Sequence, residues 1–369
     1  MAKPQILILE NSIAVTGALN SILRSSEDLR HTYDFHFILP SRSRAIAKVQ
    51  QSGFSVHEIP MMEIRKNFIS IFLYVPILLL NTFRLRSLIQ KLEIQIIVNN
   101  DFYNLIPSLY KFMGGAVPYL CYVRFRPLKF PTLLIKLWCG LNHRFATHII
   151  AVSEIVKKEL PIQTKVVVIS NELPLEEISY QSSLSSVILY PANYMTGKGH
   201  AFALRSFAAI HNHYPQWKLR FVGSDMGLLK NKAYKQELQQ ESFNLGIDEK
   251  IEWGSFVANI LEEYSNASIV LNFSESESFS LTCLEAMYCG RAIIATNSGG
   301  PAEIIDADTG ILVNLGDEKA MSQSLEFLIT HPAEREEMGQ RAYHRVRSKF
   351  SFENTGAKLG NIYNSIIYR

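Results

Sequence analysis

Short apolar runs recur along the first half of the chain, at residues 6–9, 35–39, 94–98, 119–123, 148–152 and 166–169, with longer helix-like stretches between them. Runs of this length alternating with helical segments predict βα units, and their nearly continuous apolar character predicts parallel strands covered on both faces. Residues 178–186, ISYQSSLSS, break the rhythm with polar small residues, as a linker does. A second series follows at residues 187–190, 219–222, 251–253, 269–272, 292–295 and 311–313. The pattern predicts an α/β protein of two doubly wound domains. Their bounds are residues 1–177, linker 178–186, residues 187–350, and a C-terminal helix within residues 351–369 that packs back on the N-terminal domain. Ligands of open α/β sheets sit beyond the carboxyl ends of the strands, so two such domains are expected to face a central cleft. No internal repeat is visible.

Composition narrows the function classes. Thirty-seven basic residues against 34 acidic give +3, too balanced for a protein that lives on a polyanion, so no nucleic-acid partner is expected. The charge is unevenly spread: residues 1–150 carry +9 and the remainder −6. In the basic half, Arg65, Lys66, Arg84, Arg86, Lys91, Arg124, Arg126, Lys129 and Lys136 are interleaved with Phe, Leu, Ile and Trp138. That composition suits an anionic membrane surface, or equally a set of solvated helix faces. The apolar, uncharged run at residues 67–83 is too short and too polar for a span and reads as a buried or interfacial helix. The start MAKPQILILE has no signal-peptide h-region, and Cys121, Cys139, Cys283 and Cys289 form no CxxC pair. A cytoplasmic location with reduced thiols, and no metal site, is the expectation.

The chemistry concentrates between residues 274 and 303, SESESFSLTCLEAMYCGRAIIATNSGGPAE. After the apolar run 269–272, a loop leads into a helix predicted to begin near Leu281 and to end at Gly290, a residue suited to a left-handed C-cap. The early amides, around Leu281 and Thr282, are unpaired donors at the positive end of the helix dipole and suit a diphosphate. Glu285, one turn on, is within reach of a ribose, and Glu277 in the preceding loop can accept from sugar hydroxyls.

Glu277 and Glu285 form an E-x7-E pair. The run ESFSLTCLEAMYCGRAIIATNSGGPAEII resembles the E-G-F-G-L-x-x-x-E-A-M-A-x-G-x-P-V-I-A-T-x-x-G-G-x-x-E-I-I of glycosyltransferase family 4. Ser278 and Ser280 stand where that family often has glycine, and Ala292 where it has proline. The resemblance implies a GT-B fold and a retaining, metal-independent transfer of a hexosyl unit from a nucleoside-diphosphate sugar to an acceptor hydroxyl; the charge of the basic, aromatic first half points to a saccharide or lipid-linked acceptor, as in bacterial surface polysaccharide biosynthesis. It further implies that Lys198, in TGKGH, stabilises the leaving diphosphate. The family's usual arginine, five or six residues earlier, is replaced by Asn193 and Ala192. Gly223 in FVGS, and Phe256 and Val257 in WGSFV, match segments that line the donor, as do Phe279 and Ser280. Thr16-Gly17 resembles the family's GG loop, and residues 148–172 its I-A-V-S and I-x-N-G segments, with Glu172 in place of glycine. PYLCYVR places Arg124 where the family has a histidine near the acceptor. An arginine stays protonated, so it binds a phosphate, orients the acceptor or pairs with a carboxylate.

Two other readings use the same residues: a non-catalytic scaffold subunit of a polysaccharide-assembly complex, and a same-fold sugar-nucleotide epimerase or phosphorylase. A periplasmic sugar-binding protein also has two α/β domains, but the lack of a signal peptide counts against it. No cofactor is expected beyond the nucleotide-sugar co-substrate. The location expected is the cytoplasm, at the inner face of the cell membrane if the basic half of the chain is a membrane surface.

Overall fold

Apolar side chains on consecutive residues can all be buried only where a strand has cover on both faces, and the two sheets meet that condition. Ile6, Leu7, Ile8 and Leu9 are all fully buried, as are Ile269, Val270 and Leu271. The computed structural model describes residues 3–61, 68–173, 178–183, 185–257, 259–351 and 355–368, with side chains of the helix Phe68–Lys91 described from residue 73. The chain divides into two units, residues 1–175 with 352–369, and residues 176–351.

The first unit holds seven parallel strands, β1 (Gln5–Leu9), β2 (Asp34–Pro40), β3 (Ser55–Ile59), β4 (Ile96–Asn99), β5 (Tyr119–Val123), β6 (His148–Ala151) and β7 (Val166–Val168), in the order β3-β2-β1-β4-β5-β6-β7. β3 is absent from the sequence reading. It is an edge strand whose residues SVHEI carry only two apolar side chains, so no run marks it. The run at 94–98 is shifted, the strand being Ile96–Asn99. Residues 68–91 form one helix through Pro76, and Asn67 lies outside the described residues. The helix Gly356–Ile367 packs within this unit. Tyr33 Oη donates to Asn364 Oδ1 at 2.7 Å, and the Tyr33 and Tyr363 rings meet edge to face.

The second unit holds β8 (Val187–Pro191), β9 (Lys218–Val222), β10 (Ile251–Trp253), β11 (Ile269–Asn272), β12 (Ala292–Thr296) and β13 (Ile311–Val313), all parallel, in the order β10-β9-β8-β11-β12-β13. Phe207, Phe221, Leu271 and Ile294 belong to its core. The polar segment 178–186 is strapped along this unit by backbone carbonyls. Ile178 O accepts from Arg347 Nη2 at 2.6 Å and from Tyr343 Oη at 3.1 Å, Gln181 O from Arg291, and Ser185 O from Ser268 Oγ at 2.6 Å. These hydrogen bonds hold it together with the Tyr180 ring, which packs on Tyr343 and Gly290. In both sheets the strand order reverses direction once, between β1 and β4 and between β8 and β11, the place where ligands of open α/β sheets ordinarily bind.

Candidate active site

At the β8/β11 switch of the second unit, two loops are tied together by one phenol. Tyr190, at the end of β8, is fully buried; its Oη donates to Lys198 O at 2.5 Å and accepts from Phe273 N at 3.0 Å. The loop after β8 thereby delivers Lys198 beside the loop after β11, and Lys198 Nζ lies 2.8 Å from Glu277 Oε1. The Lys198 side chain keeps 35% exposure. The neighbouring Glu277 carboxylate raises its pKa above the ordinary lysine value against the opposing effect of burial, so the ammonium stays charged.

The Glu277 backbone is clamped from the other side. Glu277 N donates to Ser298 O at 3.1 Å, and Gly300 N donates to Glu277 O at 2.9 Å. A Cβ at Gly300 would stand 2.3 Å from the Phe279 backbone, so SGGPAE is written for close approach of two chains, with Phe279 buried beneath. Ser280 has φ +89°, a conformation that favours glycine. Its hydroxyl offsets the strain: it accepts from Cys283 N at 3.3 Å, capping the helix Leu281–Tyr288, and from Asn272 Nδ2 at 2.7 Å. Ser280 thus holds a backbone position that glycine would adopt without strain.

The helix Leu281–Tyr288 starts where its sequence predicts, and Gly290 follows with φ +69°. Thr282 Oγ1 donates to Pro191 O at 3.3 Å, binding the helix start to the end of β8. Glu285 is buried on this helix, 3.4 Å from Tyr264 Oη. Gly223, just past β9, abuts the Ala192 carbonyl so closely that a Cβ would lie 2.0 Å from it. Asn193, in the place of the family's arginine, has a task of its own: its Oδ1 accepts from Ser224 N at 2.9 Å. Phe256 and Val257 lie in the loop after β10, Phe256 exposed, and Gly254 O accepts from Tyr194 Oη at 2.9 Å. His200, following Lys198 by two residues, is fully buried and stacked on Tyr194, and burial holds its pKa down at about 4. Tyr190, Asn272, His200 and Ser298 were not singled out from the sequence. The one available signal was a polar residue at the end of a strand, as at Tyr190 and Asn272.

The first unit carries Gly17 and Arg124. Gly17 opens the helix Gly17–Leu29, whose cap is Thr16, Oγ1 accepting from Leu19 N at 3.2 Å. Arg124 follows β5. Its Nε donates to Asn100 Oδ1 at 2.7 Å, its Nη1 to Ser21 Oγ at 3.1 Å and Asn171 Oδ1 at 3.2 Å, and its guanidinium lies over the Tyr122 ring. Two carboxylates the sequence reading passed over join this cluster at the β1/β4 switch. Glu10 is fully buried and accepts from Ser12 N at 2.9 Å and from Asn100 Nδ2. Asp101 accepts from Asn11 N at 2.9 Å. Burial, with Glu10 nearby, raises the Asp101 pKa to about 7. Glu172, in the place of a family glycine, is buried against Asp28 and accepts from Ser25 Oγ at 3.1 Å, and burial with that second carboxyl raises its pKa to about 9.

Among the described residues no group of three or more His, Cys, Asp and Glu side chains is arranged to hold a metal ion. All four cysteines are free and buried.

Residues 180–345 match the family model of glycosyl transferases group 1. An α-1,3/1,6-mannosyltransferase of Dictyostelium discoideum is 32% identical over 146 residues, covering 38% of this chain and 34% of that protein. A lipopolysaccharide core biosynthesis mannosyltransferase of Rhizobium leguminosarum bv. viciae is 27% identical over 171 residues, covering 46% of this chain and 48% of its own length. The chain thus spans between a third and a half of these curated relatives. Over nearly the whole chain the structure resembles that of Anabaena HepE solved with UDP and glucose, with a TM-score of 0.84, 18% identity, and coverage of 98% of this chain and 99% of that one. Sucrose-phosphate synthase from Thermosynechococcus elongatus matches with a TM-score of 0.78 at 15% identity, covering 99% and 100%. The fold is the GT-B fold of these glycosyltransferases, with two Rossmann-like α/β units.

Proposed function

From the match of residues 180–345 to the family model of group 1 glycosyl transferases, we propose that the protein is a retaining glycosyltransferase of family 4. It moves a hexosyl unit from a nucleoside-diphosphate sugar to a hydroxyl of a saccharide or lipid-linked acceptor. The observation that carries the reading is the Lys198–Glu277 pair, 2.8 Å apart at the β8/β11 switch and next to the capped start of the helix Leu281–Tyr288. One charged ammonium and a set of helix amides are what a departing diphosphate requires, and a carboxylate beside them is what a sugar's hydroxyls require.

In the proposed reaction the bond from the sugar's anomeric carbon to the β-phosphate oxygen breaks, and the electron pair leaves with the diphosphate. Lys198 and the amides of Leu281 and Thr282 stabilise that charge, Glu277 orients the sugar and Glu285 the ribose. The acceptor oxygen bonds to the same face of the anomeric carbon, and its proton passes to the departing phosphate. Arg124, which donates to Asn100, Ser21 and Asn171, is assigned to holding the strand ends of the acceptor side in place. Cationic side chains and amides supply the charge stabilisation, so the reaction is proposed to run without a metal, and EDTA is expected to leave the rate unchanged; a rate lost to EDTA and restored by manganese sinks this point. With four free cysteines, a reducing cytoplasm, at the inner face of the membrane, is the proposed location. The relatives named for mannosyl transfer and lipopolysaccharide core synthesis support a role in surface polysaccharide assembly.

One observation favours the scaffold reading instead. Asn193, where the family has an arginine, bonds the Ser224 amide, leaving Lys198 as the loop's single cation. The two readings separate in a thermal-shift screen with UDP, GDP, ADP and their sugars. A ligand at a hundredfold over its Kd stabilises an enzyme that binds it by about 2.7 kcal/mol. Glu285→Ala is expected to weaken nucleotide binding, and Glu277→Ala to lower turnover with nucleotide binding kept; calorimetry showing both variants binding like wild type removes the ribose assignment.

A further inference from the structure

In the first unit the helices Phe68–Lys91, Ile106–Phe112 and Thr132–Phe145 pack in that order, the first on the second and the second on the third. Right-handed connections to β4, β5 and β6, successive strands in the sheet, set them on one face. The outer surface of this layer is apolar where a solvated helix is ordinarily polar. Leu128 is 75% exposed, Leu133 79% and Leu137 51%, and Lys129 and Lys136 stand exposed among them. The first helix repeats the arrangement, with Val75 and Phe83 more than half exposed beside exposed Arg84 and Arg86. No Asp or Glu occurs anywhere between Asp101 and Glu154, nor within residues 68–92. The one carboxylate behind residues 126–128, Glu159, is buried and paired with Arg126. Among the described residues no helix is long and apolar enough to cross a membrane.

We propose that segment 128–137, with the exposed side chains of residues 75–86 on the neighbouring helix, is a docking surface for an anionic lipid bilayer. Leu128, Leu133 and Leu137 enter the boundary between headgroups and acyl chains, and Lys129 and Lys136 stay at the phosphates. Charge selects this occupant. A protein partner of ordinary composition gains little from a face with no carboxylate among described residues 73–92 and 128–137, whereas a surface of acidic headgroups neutralises each lysine, and the leucines between them need an apolar layer at the same depth. The surface stands independently of the transfer reaction proposed for the second unit.

The test is flotation of the full chain with phosphatidylcholine vesicles made with and without phosphatidylglycerol. Wild type floats with the anionic vesicles, less at high salt, and not with the neutral ones. Lys129→Glu/Lys136→Glu lowers partitioning by roughly fivefold per lysine removed. Leu133→Gln/Leu137→Gln, which keeps the charge, lowers it by roughly tenfold or more. These side chains are exposed, so both variants keep the wild-type melting temperature. Wild type that stays at the bottom of the gradient, or two variants that float like wild type, overturn the proposal. So does a chain that ignores vesicles and sediments as a dimer that the leucine variant dissociates, since the face then belongs to a second copy.

Discussion

The strand ends of the two units solve the same problem with different materials. In the second unit the loops at the β8/β11 switch are held by backbone groups and an uncharged phenol: the Glu277 backbone clamped by Ser298 and Gly300, and the Lys198 carbonyl caught by the Tyr190 hydroxyl. That construction leaves the Lys198 ammonium partly exposed with a single carboxylate beside it. In the first unit, the β1/β4 switch is held by side chains. Arg124 joins Asn100, Ser21 and Asn171, while Glu10 and Glu172 are buried and Asp101 is half-buried close by. A backbone-held loop frees its charged groups for a ligand, whereas in a side-chain-held loop the charged groups are part of the framework. The first arrangement fixes residue types at fixed spacing, because only small residues permit the close approach; the second allows many combinations of polar residues.

The largest test of this contrast is Lys198→Ala. If the cation is free to serve the diphosphate, its removal takes about 2.7–4 kcal/mol from the transition state, a loss of about 10²- to 10³-fold in turnover, with the melting temperature of the ligand-free protein little changed. Turnover near wild type would move the diphosphate contact elsewhere. For the framework arginine the effect falls on stability instead. Arg124→His, which restores the family's residue, loses the reach to Ser21 and Asn171 and is expected to destabilise by about 2–3 kcal/mol in denaturant titration. Unchanged stability would mean that Arg124 is held for a ligand rather than for the fold.

Ser280 gives a finer measurement. Ser280→Gly relieves the positive φ but loses the cap, and should change stability by less than about 1 kcal/mol; Ser280→Ala keeps the strain, loses the cap, and should lower stability by about 1–2 kcal/mol. Equal effects of the two would show that the backbone there is unstrained. The smallest effect is in pH dependence. The pKa values of Asp101 and Glu172 are raised in the folded chain, to about 7 and about 9. The folded state therefore binds more protons than the unfolded one, and their stabilisation is full below about pH 4 and lost as pH rises through 7 and then 9. Thermal stability should decline from pH 5 to pH 9, and Glu172→Gln should flatten the upper part of that decline by about 2–4 °C. A profile rising with pH over this range would contradict the buried, protonated state of Glu172.

Legibility in the sequence followed the same division. The segment from Glu277 to Glu303 was readable because its glycines, its capped helix and its carboxylates each answer a local requirement, and the structure joins them as spaced. Glu10 and Asp101 were unreadable. Ninety residues of chain separate Glu10 from Asn100, which donates to it, and nothing local requires either residue. β3 was missed for the related reason that an edge strand buries too little to need an apolar run.

By itself, then, the sequence determined the alternation of strand and helix, the parallel sheets, and the local build of the segment from Glu277 to Glu303, because burial on both faces, helix capping and close backbone approach act through neighbouring residues. Tertiary structure alone decided that Tyr190 bridges the Lys198 and Glu277 loops, that Asn193 serves the Ser224 amide, and that Arg124 is knitted to Ser21 and Asn171. Those contacts join residues far apart in the chain, and a polar side chain acquires its partner only when folding brings distant strand ends together in a place that water has left.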